Sequence, residues 1–194
     1  RPVDNEEFYK LFDKLNELDG VLWIHPIRTY REPFYKGELE EKYELWWTMM
    51  WPIETTMAAG RLVYSGLFQR CPNLRVVLHH AGGMLPMEGG RLDNGLKLYG
   101  TRTAPAKQHL IQSPVQGMDQ GCEFRKFTAD CATFGSASAI RAGIDFFGID
   151  NMVFASDMPF DPEDGFGYVR RTLADIDSLP LSEDEKDALR YKNA

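Results

Sequence analysis

Four short apolar runs, VLWI, RVVL, KFTA and MVFA, each arrive after a stretch with helical spacing, and this repeated order limits the fold more than anything else in the chain. Helices alternating with strands call for a parallel sheet covered by helices, because each crossover must carry the chain back to the same end of the sheet. The first helix is expected on DNEEFYKLFDKLNELDG. There Phe8, Leu11, Phe12, Leu15 and Leu18 share a face, Asp4 or Asn5 caps the start and Gly20 ends it. The strand VLWI follows and stops at His25 and Pro26. A helix from about Ile53 to Gln69 leads through CPN into LRVVLHH, and a helix around Met87 to Tyr99 precedes the strand FRKFTADCA. A helix from Ser136 to Phe147 leads to MVFASD. Two more helices are expected near Gly167 to Ile176 and Glu183 to Tyr191, the second capped by Ser182 with Glu185 three residues on.

The fold class is therefore α/β, a barrel or a doubly wound sheet. A complete (β/α)8 TIM barrel takes about 250 residues, whereas these 194 residues show four strands, begin with a helix that feeds a strand and end inside a helix. The expectation is a single domain over residues 1–194 that forms the second half of a barrel, with the first half outside the sequence. The polar stretch 100–124, with Pro105 and Pro114, is expected to be an irregular insertion loop able to reach a partner subunit.

Lys and Arg number 22 against 29 Asp and Glu, a net charge of −7 with no basic cluster, which argues against nucleic acid and anionic membrane as partners. A small molecule is the expected partner. No apolar run approaches the roughly 18 residues of a membrane span. The opening RPVDNEEFYK lacks the basic-then-apolar order of a secretion signal, so a cytoplasmic location is expected. Cys71, Cys122 and Cys131 are odd in number and show no CxxC spacing, which predicts buried thiols rather than disulfides or a cysteine zinc site.

In parallel α/β folds the C-terminal ends of the strands build the site, and here all four are ionisable: His25, the pair His79 and His80, Asp130 and Asp157. Imidazoles and carboxylates converging on one rim suit a divalent metal. Each has a plainer reading as well. His25 could be a core histidine bonded to backbone, Asp157 could cap the next turn, and Asp130 could be a satisfied acceptor as readily as a substrate contact. Neighbours on a strand point to opposite sides, so at most one of His79 and His80 is expected to enter the barrel. Trp47, within the cluster Trp46, Trp47, Met49, Met50 and Trp51, could line a pocket for an aromatic or unsaturated acid, or be core. The Ala81–Gly83 run would let backbone approach a ligand. Arg91 could fork onto a carboxylate or simply face solvent.

Taken together, WIHP at 23–26, LHHAGGMLP and GRLDNG within 78–95, FTAD at 127–130, FGIDNMVFASDMPF at 147–160 and the closing KNA resemble the amidohydrolase-2 family of metal-dependent barrel enzymes. The muconate-type and resorcylate-type decarboxylases are among its members. The resemblance implies a TIM barrel of the metal-dependent hydrolase type, with His25 and Asp157 as metal ligands. It implies His80, rather than His79, as the catalytic acid/base, and Arg91 as the group that reaches the substrate carboxylate of the neighbouring subunit. It further implies a divalent ion, zinc or alternatively manganese, and a homodimer. The family carries two more ligands in an HxH motif on the first strand, and no HxH occurs here. The function expected is a metal-dependent decarboxylase of an aromatic or muconate-like carboxylic acid. The alternatives are a metal-dependent hydrolase of an ester, lactone or amide, and a non-catalytic half-barrel or truncated subunit.

Overall fold

The computed structural model describes residues 1–116 and 123–194. The expected thiol at Cys122 and the later part of the expected loop 100–124 fall within 117–122, outside the described residues. Four strands, β1 (Val21–Ile24), β2 (Arg75–Leu78), β3 (Thr128–Asp130) and β4 (Met152–Val153), lie in sequence order and pair in parallel throughout. Helices fill the crossovers.

The apolar runs became strands, but shorter ones than the sequence suggests. FRKFTADCA contributes only Thr128–Asp130 and MVFASD only Met152–Val153. In both, the residues past the C-terminal end of the strand leave the ladder to build the rim, and residues 124–127 ahead of β3 stay outside it as well. The helix expected over 53–69 is Met50–Tyr64 followed by a short turn of helix, Leu67–Arg70. Gly66 breaks it at φ +76, and a Cβ there would stand 2.7 Å from the Pro114 ring. Further helices run Tyr9–Glu17, Leu45–Thr48, Leu85–Lys97, Ala137–Phe147 and Phe166–Ser178. Glu183–Asp187 closes the series and continues into a π-helical turn at Ala188–Lys192. None among the described residues is long and apolar enough to cross a membrane.

One core cluster joins the strands to the covering helices, with Val76, Leu78, Ala129 and Met152 from the sheet meeting Leu62, Val63, Leu85 and Ile140. Burial of this kind contributes about 25 cal/mol per Å² of apolar surface and fixes where the strand ends sit. The first helix buries only Phe12 fully, while Leu11 and Leu18 remain exposed. Cys71 and Cys131 are free and buried as expected, and burial pushes the Cys131 thiol up to about 12. Within 100–116 the chain is not shapeless. Pro105–Ile111 forms a 3-10 turn, Ser113 Oγ donates to the Tyr64 carbonyl at 2.6 Å, and Val115 is buried.

Candidate metal centre and active-site cavity

Residues in register on neighbouring parallel strands point to the same side of the sheet. One step beyond the pairs Ile24↔Leu78 and Leu78↔Ala129 stand His25, His79 and Asp130. These three therefore form a single layer at the rim. The contacts agree: the His25 and His79 rings are 4.9 Å apart, and His79 Nδ1 stands 2.8 Å from Asp130 Oδ2. The two atoms are in close contact, with the ring nitrogen not aimed along the line to the oxygen.

His80 reaches the same side by another route, which corrects the expectation that only one of the two histidines could. The ladder ends at Leu78, and His80 (φ 57, ψ 54) and Ala81 (φ 54, ψ 30) both take the left-handed conformation. Strand alternation no longer applies there, and the His80 ring swings to within 5.6 Å of His25 and 5.2 Å of His79. Left-handed backbone is costly for a residue with a Cβ and persists only where surrounding bonds impose it. Here the His80 N–H donates to Asp130 Oδ1 at 2.8 Å, and the ring Nδ1 lies 2.9 Å from the Ala132 carbonyl oxygen. Asp157, at the end of the fourth rim segment, is also left-handed at φ 63. The glycines that follow His80 answer to packing rather than to a ligand. A Cβ on Gly82 would meet the Phe147 ring at 2.6 Å, and one on Gly83 would meet the Pro52 carbonyl oxygen at 2.4 Å.

His25, His80 and Asp157 each offer a ligand atom, and those atoms lie within 4.8 Å of one another. Two imidazole nitrogens and a carboxylate oxygen at that spacing form a donor set that suits a divalent first-row ion. Partial desolvation at the rim, together with the neighbouring His79 and His80, holds the His25 imidazole below its ordinary pKa, a shift toward the neutral form that binds metal. Burial alone would push His79 down as well, but Asp130 and then Asp157 hold it above its ordinary value. The two rings touch, yet their surroundings push them in opposite directions.

The loop leaving His25 is clamped from the helix Met50–Tyr64. Glu54 Oε2 accepts the N–H groups of Ile27 and Arg28 at 3.1 and 3.0 Å, and Trp51 Nε1 donates to the Arg28 carbonyl at 2.9 Å. Trp51 also sets its ring 5.0 Å from His25, edge to face.

A cavity of about 570 Å³ opens above the three donors, walled by Trp46, Trp47, Trp51, Phe134, Phe160 and Tyr168. The expected Trp47 is in this wall. Asp130, expected to meet substrate, is fully buried instead, with one oxygen on His79 and the other accepting from the backbone of His80 and Ala132. Arg91 lies away from the cavity on the helix Leu85–Lys97, 84% exposed and paired with Glu88 at 2.7 Å. Sequence reading missed Glu54, Phe134 and Tyr168. They carry no motif, and their place follows only from how the helices and loops close over the sheet.

The sequence pattern of the amidohydrolase family matches residues 1–194. Over 93 residues the chain is 32% identical to 2-amino-3-carboxymuconate-6-semialdehyde decarboxylase of Dictyostelium discoideum, a match to 48% of this chain and 24% of that protein. Over 196 residues it is 25% identical to γ-resorcylate decarboxylase of Polaromonas sp., covering 98% of this chain and 54% of that one. The structure of 5-carboxyvanillate decarboxylase from Novosphingobium aromaticivorans, complexed with manganese and 4-hydroxy-3-methoxy-5-nitrobenzoic acid, superposes with a TM-score of 0.76. The identity is 23%, over 100% of this chain and 52% of that one. At its longest matches the chain spans about half the length of its relatives.

Proposed function

The chain belongs to the amidohydrolase family, its four parallel strands making up half of that family's (β/α)8 barrel, and from this premise we propose that it is the site-bearing half of a metal-dependent decarboxylase of aromatic carboxylic acids. The observation that carries the reading is the three-donor cluster of His25, His80 and Asp157 at the floor of an aromatic-walled cavity. Relatives named as decarboxylases, one of them with bound manganese, support it.

His25 and Asp157 would hold the ion, zinc or manganese. Once bound, it would supply Lewis-acid charge that draws in and orients the substrate's anionic oxygens. The described residues that line the cavity include no Lys or Arg, so an anionic head finds its counter-charge only at the donor end. The ring is then left among Trp46, Trp47 and Phe160, which exclude water and fit a flat apolar body.

His80 would move the proton. Its Nδ1 faces a carbonyl, which can only accept, so Nδ1 keeps its hydrogen and Nε2 is the atom free to exchange one. Protonated at Nε2, His80 delivers that proton to the ring carbon bearing the carboxylate. The bond to the carboxylate carbon then breaks, CO2 leaves, and the electron pair returns to the ring. The products are the decarboxylated arene and neutral His80.

The test is to load the protein with Mn²⁺ or Zn²⁺ and offer ortho-hydroxylated benzoic acids beside a p-nitrophenyl ester. CO2 release matched by loss of the acid, and abolished by chelation, is the expected result. Ester cleavage without CO2 release would make the site a hydrolase, and neither activity in a metal-loaded, folded protein would leave it a non-catalytic half-barrel.

A further inference from the structure

Asp130 and His79 have no place in the chemistry above, yet the fully buried Asp130 carboxylate is where two of the bonds that shape the His80 corner meet. Its Oδ1 accepts the His80 N–H at 2.8 Å and the Ala132 N–H at 3.0 Å. Both bonds converge on one outcome. The first secures the left-handed backbone at His80, which turns the ring toward His25 and Asp157. The second fixes the residue whose carbonyl oxygen lies 2.9 Å from His80 Nδ1. One carboxylate oxygen thereby controls where the His80 ring sits and which ring nitrogen carries the hydrogen.

The other oxygen faces His79, 2.8 Å away. A fully buried carboxylate needs polar neighbours at both of its oxygens, and the His79 ring stands at the one the two N–H groups leave free. That ring is wedged between Trp23 and His25, at 5.5 and 4.9 Å, and His79 turns little of its side chain to solvent.

We propose that Asp130 is a positioning residue that sets the orientation and tautomer of His80 through the paired N–H groups of His80 and Ala132. This rests on the reading of His80 as the proton carrier. Its consequence can nevertheless be measured without turnover, so that failure of the decarboxylase reading and failure of this one are separable.

The experiment is ¹⁵N-histidine NMR on the whole chain, with and without Zn²⁺, at about pH 8.5, well above the ordinary imidazole range. Resonances are assigned through single histidine substitutions. In the unaltered protein His80 is expected to show one protonated nitrogen, Nδ1. Asp130→Asn keeps an acceptor oxygen for both N–H groups and should preserve that pattern, whereas Asp130→Ala should leave His80 in mixed tautomers. His79→Gln should lower the melting temperature while leaving the His80 pattern intact, since it changes the neighbour of Oδ2 and not the two N–H bonds to Oδ1. An Nε2-protonated or mixed His80 in the unaltered protein would overturn the proposal even if the alanine variant does not fold. So would a His79→Gln variant that scrambles His80, or an Asp130→Ala variant that folds and keeps the unaltered pattern.

Discussion

β1 and β2 look alike in sequence, VLWI before a histidine and RVVL before two, yet they live in different surroundings. β2 has a strand on each side, and Val76, Val77 and Leu78 are 0%, 5% and 0% exposed. β1 has β2 on one side only among the described residues, and Val21 and Trp23 remain 43% and 47% exposed. Burial is a property of what a strand packs against and not of the letters in it. The rim inherits the contrast. His80, rising from the central strand, is held by backbone and side-chain bonds on two elements, whereas His25, rising from the edge strand, is exposed and depends on the Glu54 and Trp51 clamp of the loop behind it.

The largest expected effect tests the better-held histidine. His80→Asn in the active, metal-loaded protein should lower turnover by about 10² to 10⁴, the usual worth of a positioned acid or base. Metal content, measured by elemental analysis, should be unchanged. Loss of metal along with turnover would make His80 a ligand, which its place in the three-donor cluster allows chemically. The same measurement on His25→Ala should show the opposite pattern, with the metal lost first.

Next in size is the contrast between the strands themselves. Leu78→Ala removes a fully buried side chain from the sheet's centre and should cost about 2–5 kcal/mol in urea melts. Trp23→Ala removes a larger side chain from the half-exposed edge and should cost this chain about 1 kcal/mol or less. Equal costs would show that something covers β1 in solution, and the comparison between edge and centre would fail.

The order of strands and helices was legible because apolar runs and helical spacing are local signals. Lengths were less so: the residues after Asp130 and Val153 are apolar enough to read as strand, yet turn away to make the rim. The candidate site was legible at His25, His80 and Asp157, which follow apolar runs and match family motifs. His79 was misplaced because alternation was carried past Leu78, and nothing local announces that His80 will be left-handed. That φ is imposed by Asp130, 50 residues on. Asp130 was visible as a strand-end carboxylate, but its role depends on which neighbours its two oxygens meet.

A smaller effect belongs to the C-terminal helix, far from both strands' differences. Ser182 accepts from the Glu185 N–H while Glu185 Oε2 accepts from the Ser182 N–H at 2.8 Å, a complete capping box on an exposed helix. Ser182→Ala should cost about 0.5–2 kcal/mol and leave metal binding untouched. A shift in metal affinity would mean that the rim and this helix are coupled, which the separation of edge and centre does not anticipate.

The smallest expected effect on folding lies at Arg91, and there the edge comparison becomes sharpest. Its side chain is 84% exposed and its ion pair among the described residues is with Glu88, one turn back on the same helix. Such pairs contribute a few tenths of a kcal/mol at most, so Arg91→Ala should shift stability by no more than about 0.5 kcal/mol. If the role implied by family resemblance carries over, the same substitution should raise KM for a carboxylate substrate while leaving kcat and the melting temperature in place, because the contact would be made to a neighbouring subunit's site. An unchanged KM in an active assembly would assign Arg91 to solvent. A large loss of stability would show instead that the face of the helix Leu85–Lys97 is covered, as the exposed face of β1 would be if Trp23→Ala proved costly.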